Sequence, residues 1–169
     1  LLESIPLDAD GKMGTKTSVA IGRGPVKCAV AQDKFVYVAA AQSILINKFR
    51  YDGDTLTDLG VVSVFEPGAQ MVVSPTGAYL ILVTATQVQN FRIGADGDLT
   101  LRDTYNLSGM RFITDIVFRP ATGSLYAADA TMGTPRLLNL KLNEMSGGLT
   151  LGEEYALDAL PYRLAVSPM

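Results

Sequence analysis

The residue types that most often carry out catalysis are scarce in this chain. It has no histidine and one cysteine, Cys28, which excludes a Ser-His-Asp triad and a zinc site with the usual ligands. Cys28 lies in the apolar stretch 26–30, which favours a small buried hydrophobe over a reactive thiol. The adjacent carboxylates Glu153 and Glu154 would point to opposite faces of a strand and form no acid–base pair. We therefore predict no catalytic residue and no cofactor.

Three Asp-Gly segments, at 8–11, 52–54 and 96–98, have residue types that could bind calcium. An EF-hand loop also needs a bidentate glutamate at its twelfth position, and none follows at that spacing. Aspartate and glycine are equally the preferred residues of tight turns. We therefore predict turns here and no metal site.

One pattern does favour ligand binding, because basic and amide side chains recur near the start of corresponding segments of the chain. Its members are Arg23, Lys27, Gln70, Arg111 and Arg163. If the fold brings these side chains together, their positive charges attract anions, and the planar guanidinium group of arginine can form two hydrogen bonds with a carboxylate or phosphate. The set predicts a site for an anionic ligand or an acidic protein loop, although a solvated surface would have the same composition.

The elements that would bring these residues together belong to an internal repeat. NKFRYDGDTLT (47–57), QNFRIGADGDLT (89–100) and LNLKLNEMSGGLT (138–150) align with one another. A second element, an apolar run followed by a polar turn, recurs in phase at 26–34, 70–77, 114–123 and 163–169. Two elements with one shared period indicate a repeat architecture.

Each repeat unit divides into four short strands separated by turn residues. The stretches 35–39 and 79–83 are apolar without alternation, which predicts strands buried on both faces of a sheet. Four strands in roughly 40 to 50 residues are typical of a β-propeller blade. We predict an all-β propeller segment of about 3.5–4 blades forming an incomplete ring. The predicted units are 1–25 (partial), 26–69, 70–111, 112–162 and 163–169 (partial).

Acidic side chains concentrate at a different position of the repeat, in the hairpins between third and fourth strands. They are Asp8, Asp10, Asp52, Asp54, Asp96, Asp98 and Glu144. In a propeller these hairpins and the basic set lie on opposite faces. The pattern therefore predicts a basic channel mouth and an acidic underside.

The phrases VVSPTGAYLILV (72–83) and FRPATGSLYAAD (118–129), with NFRIGADGDLT (90–100), resemble the YVTN/lactonase-type propeller repeat. The resemblance covers nearly the whole chain as a structural motif. Enzymes of this type are lactonases that act on sugar acids and have complete rings of six or seven blades. The resemblance carries over no catalytic residue, because the remaining blades are not in this sequence.

Composition and net charge limit the classes of partner that this chain is expected to bind. Hydrophobic residues make up 48% of the chain and its net charge is −3, which indicates a folded domain that binds neither nucleic acid nor an anionic membrane. No apolar run is long enough for membrane insertion. The sequence does not indicate a cellular compartment. An arc of blades needs the remaining blades of a longer polypeptide, or further copies of this chain, as its partner.

Two functions fit these features. The first is a non-enzymatic structural or protein-binding platform in a larger protein or assembly, such as a virion or cell-surface component. The alternative is part of a lactonase-like sugar-acid hydrolase whose active site needs further blades.

Overall fold

The protein is described by a computed structural model over residues 1–5, 10, 12–21, 24–40, 42–53, 55–120 and 122–167. Within these residues all regular structure is β-strand, every strand pairing is antiparallel, and there is no helix. The predicted all-β class is confirmed. Over the same residues, no helix exists that could cross a membrane.

Fourteen strands in the described part of the chain form one two-stranded sheet and three four-stranded sheets. The two-stranded sheet pairs β1 (Leu2–Ser4) with β2 (Thr17–Val19). Blade 1 contains β3 (Pro25–Ala31), β4 (Phe35–Ala40), β5 (Leu45–Tyr51) and β6 (Leu56–Ser63). Blade 2 contains β7 (Gln70–Val73), β8 (Tyr79–Val83), β9 (Gln87–Ile93) and β10 (Leu99–Asn106). Blade 3 contains β11 (Ile113–Arg119), β12 (Ser124–Asp129), β13 (Arg136–Leu142) and β14 (Leu149–Ala156).

Strand composition explains the order of strands within a blade. Every residue of β4 and β8 is buried, as the unbroken apolar runs predict for strands covered on both faces. The fourth strands β6, β10 and β14 are mostly exposed or half-buried. Consecutive strands pair in order, so each blade runs from a first, inner strand to an outer edge strand.

Blades stack face to face along the chain. The inner strands β3 and β7 contact each other, as do β7 and β11. One apolar core lies between blades 1 and 2 and includes Phe35, Leu82 and Phe91. A second core lies between blades 2 and 3 and includes Ile81 and Leu140. The predicted propeller arrangement is thus present as an arc that does not close into a ring.

Three sequence-based expectations differ from the structure. Residues 163–167 form no strand, because no second strand lies beside them in the described chain. Cys28 is exposed rather than buried, since among the described residues no inner strand of a preceding blade covers its face of blade 1. The recurrence of tyrosine in the second strand of each unit predicts one shared repeat position for Tyr37, Tyr79 and Tyr126, and this is wrong. Tyr37 pairs with Lys48 and Tyr126 with Asn139, whereas Tyr79 pairs with Arg92, two residues further along β9 than the equivalent Asn90.

Candidate functional site

The starts of the inner strands meet at one end of the blades. Gln70 is the first residue of β7, and its Nε2 donates a hydrogen bond to the carbonyl oxygen of Thr114 in β11, 2.7 Å away. Asp129, the last residue of β12, pairs with Ile113 at the same end. The connection between blades 2 and 3, which carries Arg111, reaches this end as well.

A cavity of about 560 Å³ opens there between blades 2 and 3. Its lining combines small apolar residues, two aromatic rings, two arginines and one amide. The lining residues are Pro67, Gly68, Ala69, Gln70, Ala85, Arg111, Phe112, Ile113, Thr114, Tyr162 and Arg163. Apolar walls with a few polar groups are typical of small-molecule sites.

Arg111 is fixed by a buried ion pair. One guanidinium nitrogen lies 3.2 Å from Asp129 Oδ2, and the other donates to Ser108 Oγ at 2.7 Å. The exposed fractions of the Arg111 and Asp129 side chains are 8% and 0%. Because a buried charge is tolerated only with a partner, this pair holds the guanidinium at a set position in the wall.

Gln70 lines the cavity and has an unused hydrogen-bond acceptor. Its Nε2 is occupied by Thr114, while its Oε1 is buried and has no hydrogen-bond partner among the described residues. An unpaired buried acceptor costs about 1–3 kcal/mol. A ligand hydroxyl or amide that donated to this oxygen would recover that free energy.

Arg163 stands at the open side of the cavity, on a segment tied to blade 3. Thr114 Oγ1 donates to the carbonyl of Pro161 at 2.8 Å, and the Leu164 amide donates to Asp115 Oδ2 at 2.9 Å. The Arg163 side chain is 76% exposed and lies 4.0 Å from Asp115 Oδ1. An exposed pair at this distance leaves the guanidinium largely able to bind an incoming anion.

The structure brings three of the five predicted binding residues to one cavity: Gln70, Arg111 and Arg163. Lys27 lies half-buried on β3 and is not among the lining residues, and Arg23 falls outside the described residues. Whether the set binds an anion stays a prediction.

Sequence reasoning missed several members of the site. It did not identify Asp129 and Asp115, the carboxylates facing the two arginines, because nothing in the repeat alignment marks them. Phe112 and Tyr162 are more than half exposed at the cavity. The sequence signal that could have identified them is a large aromatic residue in a connection between two blades, where it is expected to be exposed.

Two of the predicted acidic residues lie at the other end of the blades. Asp98, in the β9–β10 hairpin, pairs with Lys48 of blade 1. Glu144, in the β13–β14 hairpin, accepts a hydrogen bond from Thr76 Oγ1 at 2.7 Å. Asp8 and Asp54 fall outside the described residues.

No family model matches this sequence, and no curated protein is similar to it. Solved structures are similar. One, named a "putative 6-phosphogluconolactonase", from Bacteroides uniformis, has a TM-score of 0.77 and 20% identity over 97% of this chain and 54% of its own. Another of that name, from Bacteroides fragilis, has a TM-score of 0.73 and 20% identity over 91% of this chain and 48% of its own. The periplasmic gluconolactonase PpgL of Pseudomonas aeruginosa has a TM-score of 0.73 and 18% identity, over 89% and 44%.

These similarities define the class of fold: propeller-like repeats of the kind found in lactonases. The chain spans about half the length of the structures it matches. The comparison overturns the first of our two functional hypotheses, the non-enzymatic platform, because these three structures are named as lactonases. Nothing in it supports a structural, assembly or protein-binding role.

Proposed function

We propose that this chain is part of a lactonase-like hydrolase that opens the lactone of a sugar acid, and that its repeats are of the YVTN/lactonase type. The cavity between blades 2 and 3 carries the proposal, because it combines guanidinium groups with an unpaired buried acceptor. A sugar-acid lactone offers the matching groups: hydroxyls that donate, and a carbonyl or an anionic substituent that accepts.

Each polar lining residue has a distinct role in this proposal. Gln70 Oε1 accepts a hydrogen bond from a substrate hydroxyl. Arg111, immobilised by Asp129, donates to an oxygen that gains negative charge as water attacks the lactone carbonyl, which is where a fixed donor lowers the barrier most. Arg163, at the open side, binds an anionic substituent of the substrate.

The general base must come from outside this cavity. Its described lining residues include no aspartate, glutamate, histidine or cysteine, yet activation of water for lactone hydrolysis needs a proton acceptor. We propose that further blades, on the rest of a longer polypeptide, complete the ring and supply that group.

Binding of the reaction product tests the site in the chain itself. Saturation-transfer NMR should detect 6-phosphogluconate or gluconate, and Arg163→Ala should weaken binding several-fold. The control is Arg92→Ala, which removes an exposed arginine of β9 near the opposite end of blade 2.

The catalytic part of the proposal needs a protein with a complete ring. In that protein, hydrolysis of 6-phosphogluconolactone or glucono-δ-lactone should release acid. The rate is measured as the amount of base that must be added to hold the pH constant. Hydrolysis no faster than in buffer would reject the enzymatic function, and equal binding by the Arg163 and Arg92 variants would reject this cavity as the site.

A further inference from the structure

The same type of contact joins each blade to the next. Tyr37 Oη of blade 1 donates to the carbonyl of Gly97 in the outer hairpin of blade 2, at 2.9 Å. Asn90 Nδ2 of blade 2 donates to the carbonyl of Gly147 in the outer hairpin of blade 3, at 2.5 Å. In both cases a side chain on the middle strands of one blade binds the hairpin glycine of the following blade.

Strand register identifies the corresponding positions in blade 3. In blade 1 Tyr37 pairs with Lys48, and in blade 2 Ile81 pairs with Asn90. The equivalent cross-strand pair in blade 3 is Tyr126 with Asn139. Blade 3 therefore carries both donors of this contact, the tyrosine hydroxyl of blade 1 and the asparagine amide of blade 2, side by side.

Both side chains lie on the face of blade 3 directed away from blade 2. Their neighbours Leu138 and Leu140 belong to the core shared with blade 2, and alternation along a strand puts Asn139 on the other side. Asn139 is 9% exposed, and its buried Oδ1 has no partner in the part of the chain that the structure describes. Tyr126, with Val117 and Leu137, lines a cavity of about 340 Å³ on this face.

The other wall of that cavity shows what kind of element belongs there. It is formed by 164–167, the segment held against β11 through Pro161 and Leu164. In repeat register Arg163 corresponds to Gln70, the first residue of an inner strand. The segment therefore occupies the place of the inner strand of a following blade.

We propose that the outer face of blade 3 receives a fourth blade on the same polypeptide, whose outer hairpin places a glycine carbonyl against the Tyr126 hydroxyl and the Asn139 amide. This surface is distinct from the proposed lactone site, and the proposal stands whether or not the protein hydrolyses lactones.

A second copy of this chain fits the face less well. The hairpin glycines of its blades 2 and 3, Gly97 and Gly147, are already bound by the preceding blade. The face of its blade 1 that would turn toward the partner is partly covered by Leu2 and Val19 of the two-stranded sheet. That sheet would meet blade 3 before any complete blade could.

The repeat register allows a direct experiment. Residues 163–169 align with 70–76, so a second copy of residues 77–111 joined after Met169 completes a blade with its own equivalent of Gly97. This extended chain should melt several degrees higher than the original chain. The amide protons of β12 and β13 should also exchange more slowly with solvent.

Removing the two donors tests the contact itself. Tyr126→Phe and Asn139→Ala should each lower the Tm of the extended chain by about 2–4 °C, and change that of the original chain by clearly less. The matched control is Tyr51→Phe, which removes a tyrosine hydroxyl from β5, on blade 1 rather than on blade 3. It should leave the gain in Tm on extension intact.

Three results would overturn the proposal. One is an added segment that stays unfolded by NMR. Another is Tyr126 and Asn139 variants that behave alike in the extended and original chains. The third is self-association of the original chain, measured by sedimentation and abolished by Asn139→Lys, which would assign the face to a second copy.

Discussion

The hydroxyl of Tyr37 donates a hydrogen bond to the carbonyl oxygen of Gly97, 2.9 Å away, and so ties blade 1 to the outer hairpin of blade 2. Gly97 has φ +87°, and a Cβ built on it would lie 2.5 Å from Cδ1 of Phe35. The hairpin therefore requires glycine at this position for two reasons, its left-handed backbone conformation and its close approach to blade 1. Blade stacking therefore uses this small polar contact in addition to the apolar core between blades 1 and 2.

Gly97→Ala should destabilise the protein by more than backbone strain alone can explain. Gly133 is the matched control, because it has φ +81° and open space where its Cβ would be. Gly133→Ala should cost about 1 kcal/mol for the left-handed conformation. Gly97→Ala should cost about 1–3 kcal/mol more through overpacking against Phe35. Urea unfolding measures both, and equal losses would show that the blades separate easily at this hairpin.

Alkaline pH should weaken the contact between blades 1 and 2. Burial, helped by the charges of Asp98 and Asp96, raises the pKa of Tyr37 well above its usual value near 10. Because the pKa of this tyrosine is higher in the folded state than in the unfolded state, the folded state holds the proton to a higher pH. Its contribution to the free energy of unfolding is therefore complete below about pH 10 and decreases as the pH rises further. Tyr37→Phe should flatten this decline in the free energy of unfolding between pH 9 and 11. An unchanged slope would contradict the assignment.

The Arg111–Asp129 pair should be far more important for folding than the pair at the blade edge. Asp129→Asn leaves a buried guanidinium without its counter-charge, at a cost of about 3–5 kcal/mol. Arg136 and Glu154 form a partly exposed pair on blade 3, and Glu154→Gln should cost less than about 1 kcal/mol. Thermal unfolding of the two variants gives the comparison. Similar small losses would show that water reaches Arg111 in solution.

The fold was predictable where residue type and period agree. The apolar runs at 35–39 and 79–83 define strands, and the Asp-Gly pair at 96–97 defines a turn, without any long-range information. The structure has these two strands and this turn at the predicted places. The turn at Gln32 and Asp33, whose sequence departs from the repeat, also forms, with φ values of +53° and +54°. Here the flanking strands impose a left-handed conformation that is unusual for glutamine and commoner for aspartate.

The site was predictable only in part. Repeat register predicted a common end for Gln70 and Arg163, and both line the cavity. It could not predict that Asp129 neutralises Arg111, because which side chains meet across a blade depends on packing that no local pattern encodes. Cys28 illustrates the same limit, since its exposure depends on which strands cover blade 1. Partial desolvation by its neighbours still raises the pKa of its thiol, which keeps the sulfur in its less reactive protonated form.

Gln70 should affect ligand binding much more than stability. Gln70→Met removes the unpaired Oε1, worth about 1–3 kcal/mol, and loses the hydrogen bond to Thr114, worth about 1 kcal/mol. The two effects oppose each other, so the free energy of unfolding should change by no more than about 2 kcal/mol. The same change at Gln89 of β9 is the matched control, because its buried Oε1 is also unpaired in the described chain and it does not line the cavity. If Gln70 binds a substrate hydroxyl, gluconate binding measured by NMR should fall about tenfold in Gln70→Met and stay unchanged in Gln89→Met. A large loss of stability with unaltered binding would make Gln70 a structural link between β7 and β11 instead.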